Sequence, residues 1–173
     1  MIDYLIIGSG LAGISFSEIA LQHNKTILVI DNDSQNSSKI AGGLYNPVIL
    51  KRFTEVPHAK EHLLIMNEFF ANLEKKLDCR VDVKLPILRK VFSIEEQNNW
   101  FSASDKINLA PFLSVELISK KYAAIDSPYG YGEVLQTGYV DTALLLTLYR
   151  EYLINNSLFI DESFEYALLK EEI

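Results

Sequence analysis

The sequence has a single cysteine, Cys79, among its 173 residues, and it contains no long apolar run. A transmembrane helix needs roughly 20 consecutive apolar residues, so no membrane span is predicted. One thiol forms no internal disulfide, which fits a reducing compartment. No basic segment precedes the first apolar run, as a secretory signal would require. Together these absences predict a cytoplasmic protein.

Positive charge is also scarce, since 16 Lys and Arg face 23 Asp and Glu, for a net charge of −7. This balance gives no general attraction to nucleic acid or to an anionic membrane, so neither is an expected partner. Histidine is rare as well, with three residues. His58 and His62 have the spacing of metal ligands on a helix, but no cysteine or third histidine lies near them. We therefore predict no metal site.

The most informative feature that is present is a Gly-x-Gly-x-x-Gly turn after the first apolar run. Gly8 permits a tight turn out of a strand, and Gly10 lets the backbone approach a pyrophosphate. Gly13 lets the following helix pack closely against the sheet. The amides and the dipole at the N-terminus of that helix hold phosphate charge. The turn therefore predicts that the chain binds a dinucleotide.

A carboxylate after the next apolar run supports this interpretation. Asp31 ends the second predicted strand, residues 26–31, where an acid can accept hydrogen bonds from an adenosine ribose. With a first strand at 2–7 and a helix at about 11–23, these residues form one βαβ unit. Four apolar residues of that helix are expected to face the sheet: Leu11, Ile14, Ile19 and Ala20.

The rest of the chain contains further helices and several short strands. Hydrophobic periodicity predicts an amphipathic helix over 57–77, a short helix around 94–103 and a helix over 142–155 that Asp141 caps. The strand candidates are residues 85–93, 115–118, 122–125, 132–136, 158–161 and 164–169.

Several of these segments resemble the superfamily of FAD-dependent D-amino acid oxidases and glycine oxidases. The segments that carry the likeness are the glycine turn, Asp31, Ser38-Lys39, Ala41-Gly42-Gly43-Leu44 and Gly138-Tyr139-Val140-Asp141. They occur in the family's order along essentially the whole chain, and the first 50 residues are the most specific part.

The resemblance implies an α/β fold: a Rossmann-type FAD/NAD(P)-binding domain with a parallel sheet and part of an inserted α+β substrate domain. It places the FAD-binding domain at residues 1–45 and 138–173, and the substrate domain at 46–137. Family members continue for roughly as many residues again. The resemblance therefore implies that this chain is an N-terminal half whose C-terminal half is missing. It leaves a homo-oligomer open.

The resemblance also implies cofactor contacts. The glycine turn would hold the FAD pyrophosphate through Gly8, Ser9, Gly10, Leu11, Ala12 and Gly13. Asp31 would hold the adenosine ribose, with Asn32 beside it. The region of Phe164 would match a strand whose backbone contacts adenine.

Two further segments are implied to follow the cofactor. Ser38 and Lys39 would lie along the pyrophosphate and the ribityl chain. Gly42, Gly43 and Leu44 would pass near the isoalloxazine ring. FAD is therefore the expected cofactor.

The reaction that the resemblance implies is oxidation of a C–N bond in a small amine or amino acid by hydride transfer to flavin. Because the cofactor carries this chemistry, the sequence need not contain a catalytic dyad, and none is evident. Tyr45 and Arg52, which follow the expected flavin-side loop, are the substrate-side candidates, although both also read as surface loop residues.

Three alternatives remain open. A nicotinamide-dependent dehydrogenase shares the glycine turn and Asp31, but the polar loop, the second glycine pair and the long helix after Asp31 favour FAD. A fragment that binds FAD or another nucleotide without catalysis is the second. The third is an oxidase that completes a wobble-uridine modification in tRNA, because residues 43–47, Gly-Leu-Tyr-Asn-Pro, resemble a loop of that enzyme.

Overall fold

The computed structural model describes residues 1–34, 37–119 and 126–168. The chain forms two compact units. The first unit comprises Met1–Gly42, Leu77–Val81 and Asp141–Ile173, and the second comprises Gly43–Lys76 and Asp82–Val140. The domain boundaries drawn from the resemblance stay a prediction.

Strands and helices alternate only at the start of the chain, and later strands follow one another in groups of two or three between the helices. The strands are β1 (Tyr4–Ile7), β2 (Ile27–Ile30), β3 (Leu44–Tyr45), β4 (Val48–Ile49), β5 (Thr54–Glu55), β6 (Asp82–Lys84), β7 (Ile87–Lys90), β8 (Leu113–Ile118), β9 (Tyr131–Val134), β10 (Gly138–Val140) and β11 (Phe159–Ile160). The helices are α1 (Leu11–Gln22), α2 (Ser37–Ile40), α3 (Ala59–Leu77), α4 (Ile94–Ser104) and α5 (Thr142–Asn155), followed by a 3₁₀ turn at Tyr166–Leu168.

The first unit contains a parallel sheet in the order β1-β2-β11. Tyr4 pairs with Ile27 and Ile7 with Ile30, and β11 then pairs with β2 on its other side, Phe159 opposite Val29. The helix α1 connects β1 to β2, as parallel strands require a crossover. The predicted βαβ unit, the mixed α/β class and the parallel sheet are therefore confirmed.

The buried face of α1 differs in part from the prediction. Ile14 and Ala20 are buried, but Ile19 is 44% exposed, so its assignment to the sheet face was wrong. The fully buried polar residue Glu18 lies on the inner face instead and accepts a hydrogen bond of 3.1 Å from the hydroxyl of Tyr149 in α5. The packing of α5 against α1 is a long-range contact, which helical periodicity alone does not reveal.

The second unit is built from antiparallel pairs. One sheet has the order β3-β10-β6 and another the order β7-β9-β8, while β4 and β5 form a separate pair. The strand predicted at 85–93 is confirmed in shorter form as β7, which pairs with β9, while the separate strand β6 before Pro86 pairs with β10. Proline has no amide hydrogen to donate to a strand ladder, so β6 and β7 are separate strands on either side of Pro86.

The core of the second unit surrounds Trp100, whose side chain is completely buried. Its indole Nε1 donates to the carbonyl oxygen of Ser114 at 2.9 Å. A Cβ atom at Gly132 would lie 2.5 Å from the indole ring, so this strand position has no room for a side chain. The short strands of this unit therefore depend on packing against one large aromatic residue.

The predicted helices at 57–77, 94–103 and 142–155 are confirmed as α3, α4 and α5. Asp141 caps α5 by accepting from the amide of Leu144 at 3.0 Å.

The strand candidate at 122–125 lies outside the described residues, and within 164–168 the structure has a 3₁₀ turn in place of the predicted strand. None of the helices in the described part of the chain is both long and apolar enough to span a bilayer.

Candidate functional site

A cavity of about 440 Å³ opens in the first unit where β1 and β2 end. In parallel α/β sheets, ligands bind at the carboxyl ends of the strands, so this is the expected position of a site. The lining consists of strand ends, the glycine turn, the loop after β2 and the segment after β11: Ile7, Gly8, Gly10, Ile30, Asp31, Asn32, Ser34, Ser37, Ser38, Glu162, Ser163, Phe164 and Tyr166.

The glycine turn has the tight geometry that its sequence predicts. Gly8 has a φ of +98°, in the region that favours glycine, and its amide donates to the carbonyl oxygen of Ile30 at 2.9 Å. A Cβ atom at Gly13 would lie 2.0 Å from the carbonyl oxygen of Gly8. Only glycine therefore lets α1 start so close to the turn. The N-cap residue of α1 is Gly10, which has no side chain to make a capping hydrogen bond.

Asp31 is held by the same turn. One carboxylate oxygen accepts from the amide of Ser9 at 2.6 Å and from the hydroxyl of Ser9, and the other accepts from the amide of Asp33 at 2.9 Å. Partial burial acts to raise the pKa of Asp31, but these hydrogen bonds and the charge of Arg150 outweigh it and leave the pKa below its ordinary value of 3.8. A carboxylate has about four acceptor positions, of which these hydrogen bonds occupy three, and Asp31 also lines the cavity.

The polar loop after β2 folds back over the turn. The hydroxyl of Ser38 accepts from the amide of Leu11, the first residue of α1, at 3.3 Å. Asn32 donates through Nδ2 to the hydroxyl of Ser163 at 2.6 Å. Ser38 and Asn32 therefore line the cavity, as their assignment as cofactor contacts requires.

Lys39 lies elsewhere. Its ammonium group contacts both carboxylate oxygens of Asp33, at 2.6 and 2.7 Å, and it is not among the residues that line the cavity. Arg150 approaches the same carboxylate at 3.8 Å and pairs with Asp161 at 2.9 Å. Lys39 and Arg150 are thus both paired with aspartates. The contact of Lys39 with a pyrophosphate stays a prediction.

The second glycine pair has a structural role of its own. Gly43 has a φ of +62°, and a Cβ atom there would lie 1.9 Å from the carbonyl oxygen of Val140. The amide of Val140 donates to the carbonyl oxygen of Gly43 at 3.0 Å, so glycine is needed for this close backbone pairing. Gly42, Gly43 and Leu44 do not line the described cavity, and their contact with a flavin ring stays a prediction.

The two substrate-side candidates have different surroundings. The hydroxyl of Tyr45 donates to the buried carboxylate of Asp82 at 2.8 Å, and Lys84 pairs with the other oxygen of Asp82 at 2.7 Å. Partial burial raises the pKa of Tyr45, and Asp82 adds to the rise while Lys84 opposes it. Tyr45 is thus a strand residue whose hydroxyl is hydrogen-bonded to Asp82. Arg52, by contrast, is exposed in the turn between β4 and β5.

Sequence reasoning missed part of the cavity wall. Ser163 and Tyr166 line the cavity together with Phe164 because β11 runs parallel to β2 and ends at the same edge of the sheet. The resemblance pointed to the region of Phe164, but Ser163 and Tyr166 carry no local signal, since they are more than 130 positions from Asn32. Among the described residues, no three His, Cys, Asp or Glu side chains are grouped to hold a metal ion.

Known structures share the fold of this chain, whereas no protein-family model matches its sequence. Glycine oxidase from Bacillus cereus ATCC 14579 superposes with a TM-score of 0.65 at 17% identity, over 87% of this chain and 44% of that chain. Glycine oxidase from Geobacillus kaustophilus gives 0.65 at 12%, over 90% and 45%. L-amino acid deaminase from Proteus vulgaris gives 0.62 at 14%, over 90% and 38%.

These likenesses are similarities of fold at low sequence identity. The chain spans less than half of the length of each of the three structures. Its two units therefore have the fold of a part of a glycine oxidase or L-amino acid deaminase chain.

Proposed function

We propose that this chain is the FAD-binding portion of an oxidoreductase of the amine and amino acid oxidase type. The observation that carries the proposal is the cavity at the ends of β1 and β2, where the glycine turn, the start of α1 and the carboxylate of Asp31 meet. The fold similarity to glycine oxidase and L-amino acid deaminase supports FAD over a nicotinamide cofactor.

The residues present fit such a cofactor. A Cβ atom at Gly8 would meet no other atom within 4 Å, so a diphosphate has room to approach the turn there, whereas a Cβ atom at Gly10 would lie 3.2 Å from the hydroxyl of Ser38. The N-terminal amides of α1 favour negative charge at this point. Asp31 is an ionised acceptor that suits ribose hydroxyl groups, and its lowered pKa keeps it ionised at neutral pH.

In this proposal the chain binds and orients the cofactor. FAD, when bound, supplies the acceptor for a hydride from the carbon next to the nitrogen of an amine or amino acid. Ser9 fixes the orientation of Asp31 through two hydrogen bonds, and Ser38 positions the polar loop against the start of α1. These contacts support the proposal that the adenosine diphosphate part of the cofactor lies against the turn and the polar loop.

A second function, binding of FAD or another nucleotide without turnover, is favoured by one observation. The chain spans 44% of the glycine oxidase from Bacillus cereus, so the substrate-binding groups of a whole oxidase need not all be among these residues. Tyr45 is a candidate for such a group, but its hydroxyl donates a hydrogen bond to Asp82.

One experiment tests both functions. The purified chain is incubated with FAD, separated from the excess, and mixed without oxygen with a panel of amino acids and secondary amines while the visible absorbance of the flavin is followed. Bleaching by a substrate, with recovery and peroxide formation in air, is the result expected of an oxidase. Retained FAD that no substrate bleaches is the result expected of a nucleotide-binding fragment. A folded chain that retains no FAD contradicts both.

A further inference from the structure

The second unit contains a cavity of its own, of about 380 Å³, where α3 faces the corner between β6 and β7 and the corner between β9 and β10. All of its lining residues belong to that unit. A volume above about 300 Å³ is typical of sites for small molecules. The lining includes none of the residues assigned above to the cofactor or to the substrate, so it is a separate cavity.

Hydrogen bonds of Thr137 hold these two corners together. Its buried hydroxyl donates to the carbonyl oxygen of Leu85 at 2.7 Å and accepts from the amide of Ile87 at 3.0 Å. The amide of Leu85 in turn donates to the carbonyl oxygen of Thr137 at 3.1 Å. The wall is therefore formed before a ligand binds, which lowers the entropic cost of binding.

One charged side chain on the cavity wall has no partner. Glu133 lies in β9 opposite Leu88 of β7. Its neighbours Gly132 and Val134 face the core around Trp100, so the alternation of a strand places the side chain of Glu133 on the opposite face, away from the core. Within the described part of the chain, no group forms a hydrogen bond or an ion pair with its carboxylate.

The other charge on the wall is already balanced. The ammonium group of Lys84 lies 2.7 Å from a carboxylate oxygen of Asp82 and donates to the side-chain oxygen of Asn67 at 2.5 Å. Lys90 is diagonal to Glu133 across the pair of β7 and β9, but it does not line the cavity and forms no ion pair with Glu133. The uncompensated charge of the wall is therefore that of Glu133, so the cavity favours a cation over an anion.

Much of the remaining wall is apolar and consists of Leu63, Leu85, Pro86 and Leu135. Leu85 is 55% exposed and Leu135 is 37% exposed, so two large apolar side chains are left partly in water at the wall. An aliphatic group that covers them gains the free energy of removing apolar surface from water. A ligand with both a positive charge and a short aliphatic chain therefore matches this wall.

We propose that this cavity binds a small aliphatic amine in its protonated form, with Glu133 as the counter-ion and the leucine side chains around the alkyl group. A carboxylate accepts hydrogen bonds from an ammonium group, and such charge-assisted bonds are stronger than neutral ones. The site lies wholly within the second unit and involves no flavin, so it goes beyond the proposed function and is independent of it.

The test is calorimetric titration of the full chain with isoamylamine, without FAD and at neutral pH, where the amine is protonated. Glu133→Gln keeps the size of the side chain and removes its charge, so it is expected to weaken the binding of isoamylamine by about 10-fold. Glu116→Gln makes the same exchange at an exposed position of β8 outside the lining, and this matched control is expected to bind the amine as the unaltered chain does.

Three further ligands separate the charge from the alkyl group in the unaltered chain. Isoamyl alcohol, which is neutral, and isovalerate, which is an anion, have nearly the same shape as isoamylamine and are expected to bind more weakly. Methylamine keeps the charge and loses most of the alkyl group, so it is also expected to bind more weakly.

Several results would overturn the site. They are no binding of isoamylamine, equal affinity of Glu133→Gln and the unaltered chain for it, or binding of isovalerate as tight as that of the amine. Thermal unfolding checks that each variant is folded, and the comparison of ligands in the unaltered chain decides the matter even if a variant does not fold. Retention of FAD is measured separately, so failure of the amine site and failure of the proposed function are distinguishable.

Discussion

Gly13 lies directly against the carbonyl oxygen of Gly8, so that a Cβ atom at position 13 would be 2.0 Å from that oxygen. The contact brings the start of α1 onto the turn that ends β1. It fixes where the N-terminal amides of the helix point, and the proposed binding of a diphosphate depends on it.

Gly13→Ala is therefore expected to destabilise the first unit. Alanine is a better helix former than glycine by about 1 kcal/mol, so helix propensity alone predicts a gain in stability. The backbone clash predicts instead a loss of about 1 to 3 kcal/mol in the free energy of unfolding, measured by urea denaturation. Gly42→Ala is the control, because a Cβ atom there would meet nothing within 4 Å. A Gly13→Ala variant that is as stable as the unaltered chain would contradict the contact.

The hydrogen bonds from Ser9 to Asp31 predict a pH dependence. The pKa of Asp31 is lower in the folded chain than its ordinary value of 3.8. The stabilisation is therefore fully present above that value and is lost as the pH falls below it through the folded-state pKa. The difference in unfolding free energy between the unaltered chain and Asp31→Asn should shrink as the pH is lowered from 5 to 3. A difference that stays constant over this range would contradict the assignment.

The pair of Glu18 and Tyr149 is expected to hold α1 and α5 together. Both side chains are buried, and the hydroxyl of Tyr149 donates to Glu18 at 3.1 Å. Tyr149→Phe removes the donor and should cost about 1 to 3 kcal/mol of stability. The double variant Glu18→Gln with Tyr149→Phe should lose less than the sum of the two single variants, because the residues share one interaction. Strict additivity in urea denaturation would show that they are not coupled.

Tyr45 is expected to contribute to the stability of the second unit. Its hydroxyl donates to Asp82, a buried carboxylate that also pairs with Lys84. Tyr45→Phe should lower the free energy of unfolding by about 1 to 2 kcal/mol and should leave the affinity for ADP unchanged. If Tyr45→Phe lowers the free energy of unfolding equally in the unaltered chain and in the Asp82→Asn variant, the result would contradict an energetic coupling between Tyr45 and Asp82.

Much of the fold could be predicted because its signals are local. The glycine turn, the apolar strands on either side of α1 and the periodicity of α3 and α5 each lie within one short segment. Asp141 caps α5 through a neighbour three residues away, so its role is also visible in the sequence. Gly8, Gly10 and Asp31, which line the cavity, were predicted as candidate site residues in the same way.

The remainder depends on contacts between distant segments. Ile19 has the spacing of a buried residue, but the inner face of α1 is set by α5 and includes Glu18. Lys39 directly follows Ser38, which lines the cavity, but the charge of Lys39 is paired with Asp33. Tyr166 reaches the cavity only because β11 joins the sheet beside β2. No periodicity or local motif carries this information.

The most direct test of the central claim is retention of FAD by the purified chain, measured by visible absorbance after the excess cofactor is removed, with NAD titrated in parallel. The account predicts that the chain retains FAD and not NAD, and that Asp31→Ala reduces the retention while replacement of the exposed Phe92 of the second unit, Phe92→Ala, does not. A folded chain that retains no flavin, or that binds NAD in its place, would contradict it.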